Sequence, residues 1–94
     1  MKGTATEKIE GGKLITVKID YDNTINTIQI LGDFFIHPEE SIEMIEKSFL
    51  NKSIEEPRET TKDRVNRIVE ENDIQLIGVT PEAIVDIVRR AVGK

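Results

Sequence analysis

From Lys13 to Asp22 apolar and polar positions alternate. Ile15, Val17, Ile19 and Tyr21 share one parity, and Thr16, Lys18 and Asp20 the other. A period of two carried by β-branched residues predicts a half-buried strand. Asp22-Asn23-Thr24 supplies turn chemistry. A second strand is predicted from about Ile25 to Ile36, with Ile28, Ile30, Phe34 and Ile36 on one face and Thr27, Gln29, Asp33 and Phe35 on the other. The two should pair as an antiparallel hairpin with one wet face.

Beyond Ile36 the period changes. His37-Pro38-Glu39-Glu40 reads as a helix start, since proline suits the first helical position and carboxylates favour the positive end of the dipole. Ile42, Ile45 and Phe49 form its apolar stripe. A polar loop from Asn51 to Glu59 contains Pro57. Thr60 or Thr61 then caps a second helix with the stripe Val65, Ile68, Val69, and Thr60 and Asp63 have the spacing of a capping box. Ile74–Val79 is a short apolar run, read as a third strand. Thr80-Pro81-Glu82 opens a last helix lined by Ile84, Ile87, Val88 and Ala91 and ended by Gly93. The order β-β-α-α-(β)-α predicts an α+β two-layer sandwich: a small antiparallel sheet of two or three strands packed by three helices. Residues 1–12 read as a flexible N-terminal arm ending in Gly11-Gly12, and residues 13–94 as the folded domain.

With 94 residues the chain is the size of one domain with one modest core. It has no cysteine and one histidine, which excludes disulfides, thiolate metal sites, thiol nucleophiles and a histidine-rich metal centre. The net charge of -5 argues against a nucleic-acid footprint. Residues 37–60 hold three Lys/Arg against seven Asp/Glu, so most of the acidic excess is local and reads as a solvated helix face. No apolar run is long enough for a membrane span and the N-terminus lacks the apolar segment of a secretory signal, so a cytoplasmic protein is expected.

The inventory of reactive groups is thin. Gly11-Gly12-Lys13 lacks the spacing of a phosphate loop and precedes a strand. His37 has no carboxylate or hydroxyl at a spacing that supports a general base. The pairs Glu39/Glu40, Glu55/Glu56 and Glu70/Glu71 are adjacent in sequence and point apart on a helix. Arg89-Arg90 suits the negative end of the last helix, with phosphate or partner binding as the alternative. No catalytic or metal-ligating set is assigned. One feature does stand out. Phe34 and Phe35 are neighbours on a strand and must face opposite ways. If Phe34 enters the core, Phe35 lies on the outer face with Leu14 and Leu31, which an antiparallel hairpin brings to the same end. Leu14, Leu31 and Phe35, with His37 beside them, are the candidate partner interface; a second core covered by helices is the alternative.

Three blocks carry a family resemblance: Lys13-Leu14-Ile15 opening a strand, Gly32-Asp33-Phe34-Phe35-Ile36-His37-Pro38-Glu39-Glu40, and Gly78-Val79-Thr80-Pro81-Glu82-Ala83-Ile84-Val85. Together, over about residues 12–92, they resemble the C-terminal accessory domain of lipoate–protein ligases. The resemblance implies structural roles for Gly32, Asp33, Phe34, Pro38, Gly78, Thr80 and Pro81. It also implies a non-catalytic accessory subunit that docks as a heterodimer on a separate catalytic subunit and supports ATP-dependent conversion of lipoate to lipoyl-AMP for protein lipoylation. The chain starts with its own methionine and carries no counterpart of the large domain's glycine-rich motif or catalytic lysine, so no catalytic residue carries over. Lipoate, ATP and Mg are then expected in the catalytic subunit, none is expected on this chain alone, and lipoyl-acceptor domains are indirect partners. The alternative is an adaptor that binds the acceptor lipoyl domain without a role in adenylation.

Overall fold

The computed structural model describes residues 1–9, 11 and 13–94. The alternation from Leu14 onward builds the central strand. In chain order the elements are β1 (Lys2–Lys8), β2 (Leu14–Tyr21), β3 (Ile25–Gly32), β4 (Phe35–His37), α1 (Ser41–Lys47), α2 (Arg58–Glu71), β5 (Gln75–Ile77) and α3 (Pro81–Ala91). One antiparallel sheet has the order β1-β2-β3, and β4 and β5 form a separate two-stranded ribbon. Helix α3 packs on β1 and β2, α2 on α3, and α1 on β3, β4 and α2. Ile15, Val17 and Ile19 point into this helical layer and meet Ile30, Ile45, Phe49, Val65, Ile84, Val85 and Val88 in one aliphatic core. The α+β, two-layer architecture is therefore as expected, with more strands.

The additional strand is β1. Residues 1–12 are not simply an arm: Lys2–Lys8 pairs with β2 along its whole length, from Lys2 opposite Asp20 to Lys8 opposite Leu14. The chain's α-amino group donates to the Tyr21 carbonyl at 2.6 Å, and the Tyr21 N–H donates back to the Met1 carbonyl at 2.7 Å. The inward positions of β1 are Gly3, Ala5 and Glu7, and none is a large apolar residue, so hydrophobic alternation does not mark this strand. At Gly3 the reason is distance. A methyl group at Gly3 would overlap the Ala91 carbonyl oxygen, so α3 lies on β1 only because Gly3 has no side chain. Glu10 and Gly12 of the expected arm lie outside the described residues.

The second predicted strand is divided. β3 ends at Gly32, and Phe35–His37 leaves the main sheet as β4, paired with β5 through Phe35–Ile77, Ile36–Leu76 and His37–Gln75. Gly32 permits the close crossing: a methyl group there would come within 2.5 Å of the Leu14 carbonyl oxygen and 2.8 Å of Ile15 Cδ1. The Asp33 N–H still donates to the Leu14 carbonyl at 3.0 Å, which holds the departing chain to β2. The run Ile74–Val79 does contain a strand, but it joins the ribbon and not the hairpin. A register shift at Asp20/Tyr21 brings Ile25 into the core together with Ile30, although the two differ in parity.

Two helix starts also differ from expectation. Pro38 follows a cis peptide bond in a turn, the Ser41 N–H donates to the Pro38 carbonyl at 2.9 Å, and α1 begins only at Ser41. Pro38 thus closes the turn before the helix and does not occupy its first position. Helix α2 begins at Arg58 after an extended Pro57, and Thr61 is a buried residue of its first turn. The Thr61 hydroxyl reaches Glu56 Oε1 at 2.6 Å and the Pro57 carbonyl at 3.2 Å, so no capping box forms. Proline at 57 sets the start earlier than either threonine could. Helix α3 follows its sequence signals. Thr80 Oγ1 accepts from the Ala83 N–H at 3.1 Å, Pro81 is the first helical residue, and Gly93 adopts φ +84° just beyond the end.

Two substitutions should expose these constraints in urea unfolding. Gly3→Ala must displace α3 from β1 and is expected to cost about 1–3 kcal/mol, as overpacking does. Thr80→Ala removes the cap of α3 and is expected to cost about 1 kcal/mol. An unfolding midpoint unchanged by Gly3→Ala would mean that α3 and β1 are not in close contact.

Candidate partner-docking site

The helices cover one face of the three-stranded sheet, and the other face is bare. Its cross-strand rows run Lys8–Leu14, Thr6–Thr16–Leu31, Thr4–Lys18–Gln29 and Lys2–Asp20–Thr27. Leu14 and Leu31 are diagonal neighbours at the end nearest the ribbon, 48% and 41% exposed. Alternation persists through the break at Gly32. Phe34 packs against the core while Phe35 is 71% exposed on the ribbon's outer face. Directly opposite Phe35 stands Ile77, 61% exposed. His37 and Gln75 share that face and are exposed, and Ile36 and Leu76 on the other face pack against the core.

The structure places the ribbon beside the start of β2. A methyl group at Gly78 would sit 3.7 Å from the Asp33 carbonyl oxygen, Phe34 Cα and Lys13 Cγ, and Gly78 itself has φ +90°. That positive φ disfavours any side chain there. The three residue blocks of the sequence therefore converge on one corner, where Gly32 allows a close crossing, Gly78 supplies a positive φ, Asp33 and Phe34 anchor the chain, and Thr80-Pro81 starts α3. Ile77 was not singled out by sequence. It lies in a run that is apolar at almost every position, so parity could not separate it from Leu76.

Reactive groups do not converge. The His37 side chain has no hydrogen-bond or ion-pair partner among the described residues. No group of three or more His, Asp or Glu able to hold a metal occurs among the described residues. A groove of 530 Å³ between the ribbon and α3 is lined by Ile9, Leu76, Gly78, Val79, Thr80 and Ala83, with no titratable side chain. No helix among the described residues is long and apolar enough to cross a membrane.

No family model matches the chain. Among curated proteins it is similar to lipoate-protein ligase A subunit 2 of Thermoplasma acidophilum, 36% identical over 77 residues that cover 81% of this chain and 77% of the relative. The chain belongs to the lipoate–protein ligase A subunit 2 family. A solved structure of an archaeal lipoylation system, a bi-partite lipoate protein ligase and its E2 lipoyl domain from Thermoplasma acidophilum, contains a similar chain. The two superimpose with a TM-score of 0.78 at 32% identity, covering 95% of this chain and 96% of that one.

In this subunit 2 chain several charged side chains have structural partners. Arg90 pairs with Glu7 of β1. Arg89 Nη1 donates to the Glu56 carbonyl at 3.0 Å, so the Arg89-Arg90 pair ties α3 to its surroundings and is not a free anion site. Glu56 is the hub. Its carboxylate accepts from Arg64 at 2.7 and 2.9 Å and from Thr61 at 2.6 Å, while Arg64 Nε donates to the Ser48 carbonyl at 2.9 Å. The set links the end of α1, the loop before α2, α2 and α3. Both side chains of the Glu56–Arg64 pair are about four-fifths buried, and the Arg64 guanidinium holds the Glu56 carboxyl below its ordinary value of 4.5. Arg58 similarly lowers Asp86, bonding at 2.6 and 3.3 Å, but that pair is more exposed and contributes less to stability.

A carboxyl depressed in the folded state adds stability above its unfolded pKa, and that stability is lost as pH falls through the folded value. Glu56→Gln should therefore lower stability near neutral pH by about 1–3 kcal/mol, the worth of a charged hydrogen bond. The gap from wild type should narrow as pH falls below 4.5. Urea midpoints at neutral pH and in acid measure both effects, and a gap independent of pH would remove the ion pair as their cause.

Proposed function

We propose that the chain is the accessory subunit of a two-component lipoate–protein ligase. It docks on the catalytic subunit and supports ATP-dependent activation of lipoate to lipoyl-AMP for protein lipoylation. The observation that carries this reading is membership of the subunit 2 family together with an apolar corner that stands uncovered. Lipoate, ATP and Mg²⁺ bind on the catalytic subunit in this reading. The chain's own contribution is physical. A rigid domain placed beside a nucleotide site can order loops over it and exclude water from a reactive acyl-adenylate. A cytoplasmic location goes with this role.

The test is lipoyl-AMP formation by the catalytic subunit with and without this chain. Adenylate formation is expected to rise by about tenfold or more, equivalent to about 1.4 kcal/mol off the barrier. Equal rates would reject the reading. If only the transfer from preformed lipoyl-AMP to the lipoyl domain responds, the chain is an adaptor for the acceptor and not an activator.

A further inference from the structure

Large apolar side chains are unevenly exposed on this domain. Phe35 and Ile77 are 71% and 61% exposed and stand opposite each other in the ribbon. Leu14 and Leu31 lie on the adjoining end of the bare sheet face. A ribbon with three residues per strand is marginal by itself. Its inner residues Ile36 and Leu76 are already used by the core, so Phe35 and Ile77 add nothing to the fold in return for their contact with water. The row Thr6–Thr16–Leu31 beside this corner carries no charge, and the exposed Asp33 lies between Leu31 and Phe35 along the chain. Aromatic and aliphatic anchors at the middle with charged residues around them are the composition of an interface. The nearest cations are Lys8, opposite Leu14 in the register, and Lys13, whose Cγ lies close to Gly78.

We propose that the cross-strand pair Phe35–Ile77 is the centre of the surface on which the catalytic subunit docks, extended by Leu14 and Leu31 and edged by Lys8 and Lys13. The partner surface is accordingly an apolar recess with carboxylates on its rim. This rests on the accessory-subunit reading and adds to it where the contact is made. A second copy of the chain fits the surface poorly. Each copy carries a net charge of -5, and self-association would bring two such charges together and two Lys8/Lys13 rims to one contact. His37 lies on the same ribbon face, one pair away from the Phe35–Ile77 row, and belongs to the periphery of the contact.

Titration calorimetry of the intact chain with the catalytic subunit tests this. Phe35→Asp and Ile77→Asp should each weaken binding by about 30-fold or more, as loss of a central anchor does. Their melting temperatures should stay near wild type, because both side chains are exposed. Lys8→Glu and Lys13→Glu should slow association and reduce its sensitivity to salt. Amide exchange of the wild-type chain supplies a readout without substitution: protection is expected to rise at residues 35–37 and 75–77 on complex formation. Binding within about twofold of wild type for both aspartate variants, or no added protection of the ribbon, overturns the proposal. So does a dimer of the chain alone that Phe35→Asp converts to monomer. A wild-type chain that does not bind the catalytic subunit at all instead removes the accessory-subunit reading on which the proposal stands.

Discussion

The domain depends on β2 being paired along both edges and covered on one face only. Ile15, Val17 and Ile19 direct their side chains into the helical layer, and every helix contributes to the core they enter. All three helices pack on this one side. The opposite face of the sheet is therefore left to polar residues, except at the end where Leu14 and Leu31 lie. The apolar corner is the place where this face departs from a solvated surface.

Close approach of backbones sets the geometry of that corner. Gly32 lets β3 cross Leu14 and Ile15 tightly, after which Asp33 remains bonded to β2 and the chain turns into the ribbon. Gly78 returns the chain from β5 at a positive φ and leads directly to the Thr80 cap. Gly3 performs a similar service at the other side of the sheet, where α3 rests on β1. The edges of the sheet are treated differently. The Ile30 N–H on β3 donates to Glu46 of α1 at 2.8 Å, and Ile25 exchanges bonds with Asn51 and Lys52, so this edge is covered. Such cover limits unwanted pairing along β3.

Of the charges that looked available for chemistry, Glu56, Arg89 and Arg90 are engaged in holding the fold together. The Glu56–Arg64–Thr61 set, Arg89 on the Glu56 carbonyl, and Arg90 on Glu7 connect segments distant in sequence. The chain shares this fold with a chain of the bi-partite lipoate protein ligase of Thermoplasma acidophilum.

The strands and helices with strong periodicity were legible in the chain: β2, most of β3, α3 with its threonine cap, and the opposite orientation of Phe34 and Phe35. These depend on neighbours in sequence, where parity and local capping act over a few residues. Three features were decided by tertiary structure. β1 has no large apolar residue to mark it: its inward positions are Gly3, which must be bare beneath α3, Ala5, and Glu7, which pairs with Arg90. The division of the second strand at Gly32 depends on a contact with Leu14, far away along the chain, and β5 finds its partner in β4 for the same reason. Ile77 emerges beside Phe35 only through that pairing. Sequence alone thus determined which residues are apolar and how each segment alternates, because those are local properties. Which apolar residues remain outside the core is decided only when the segments meet, because exposure belongs to the pairing of distant strands and not to any one of them.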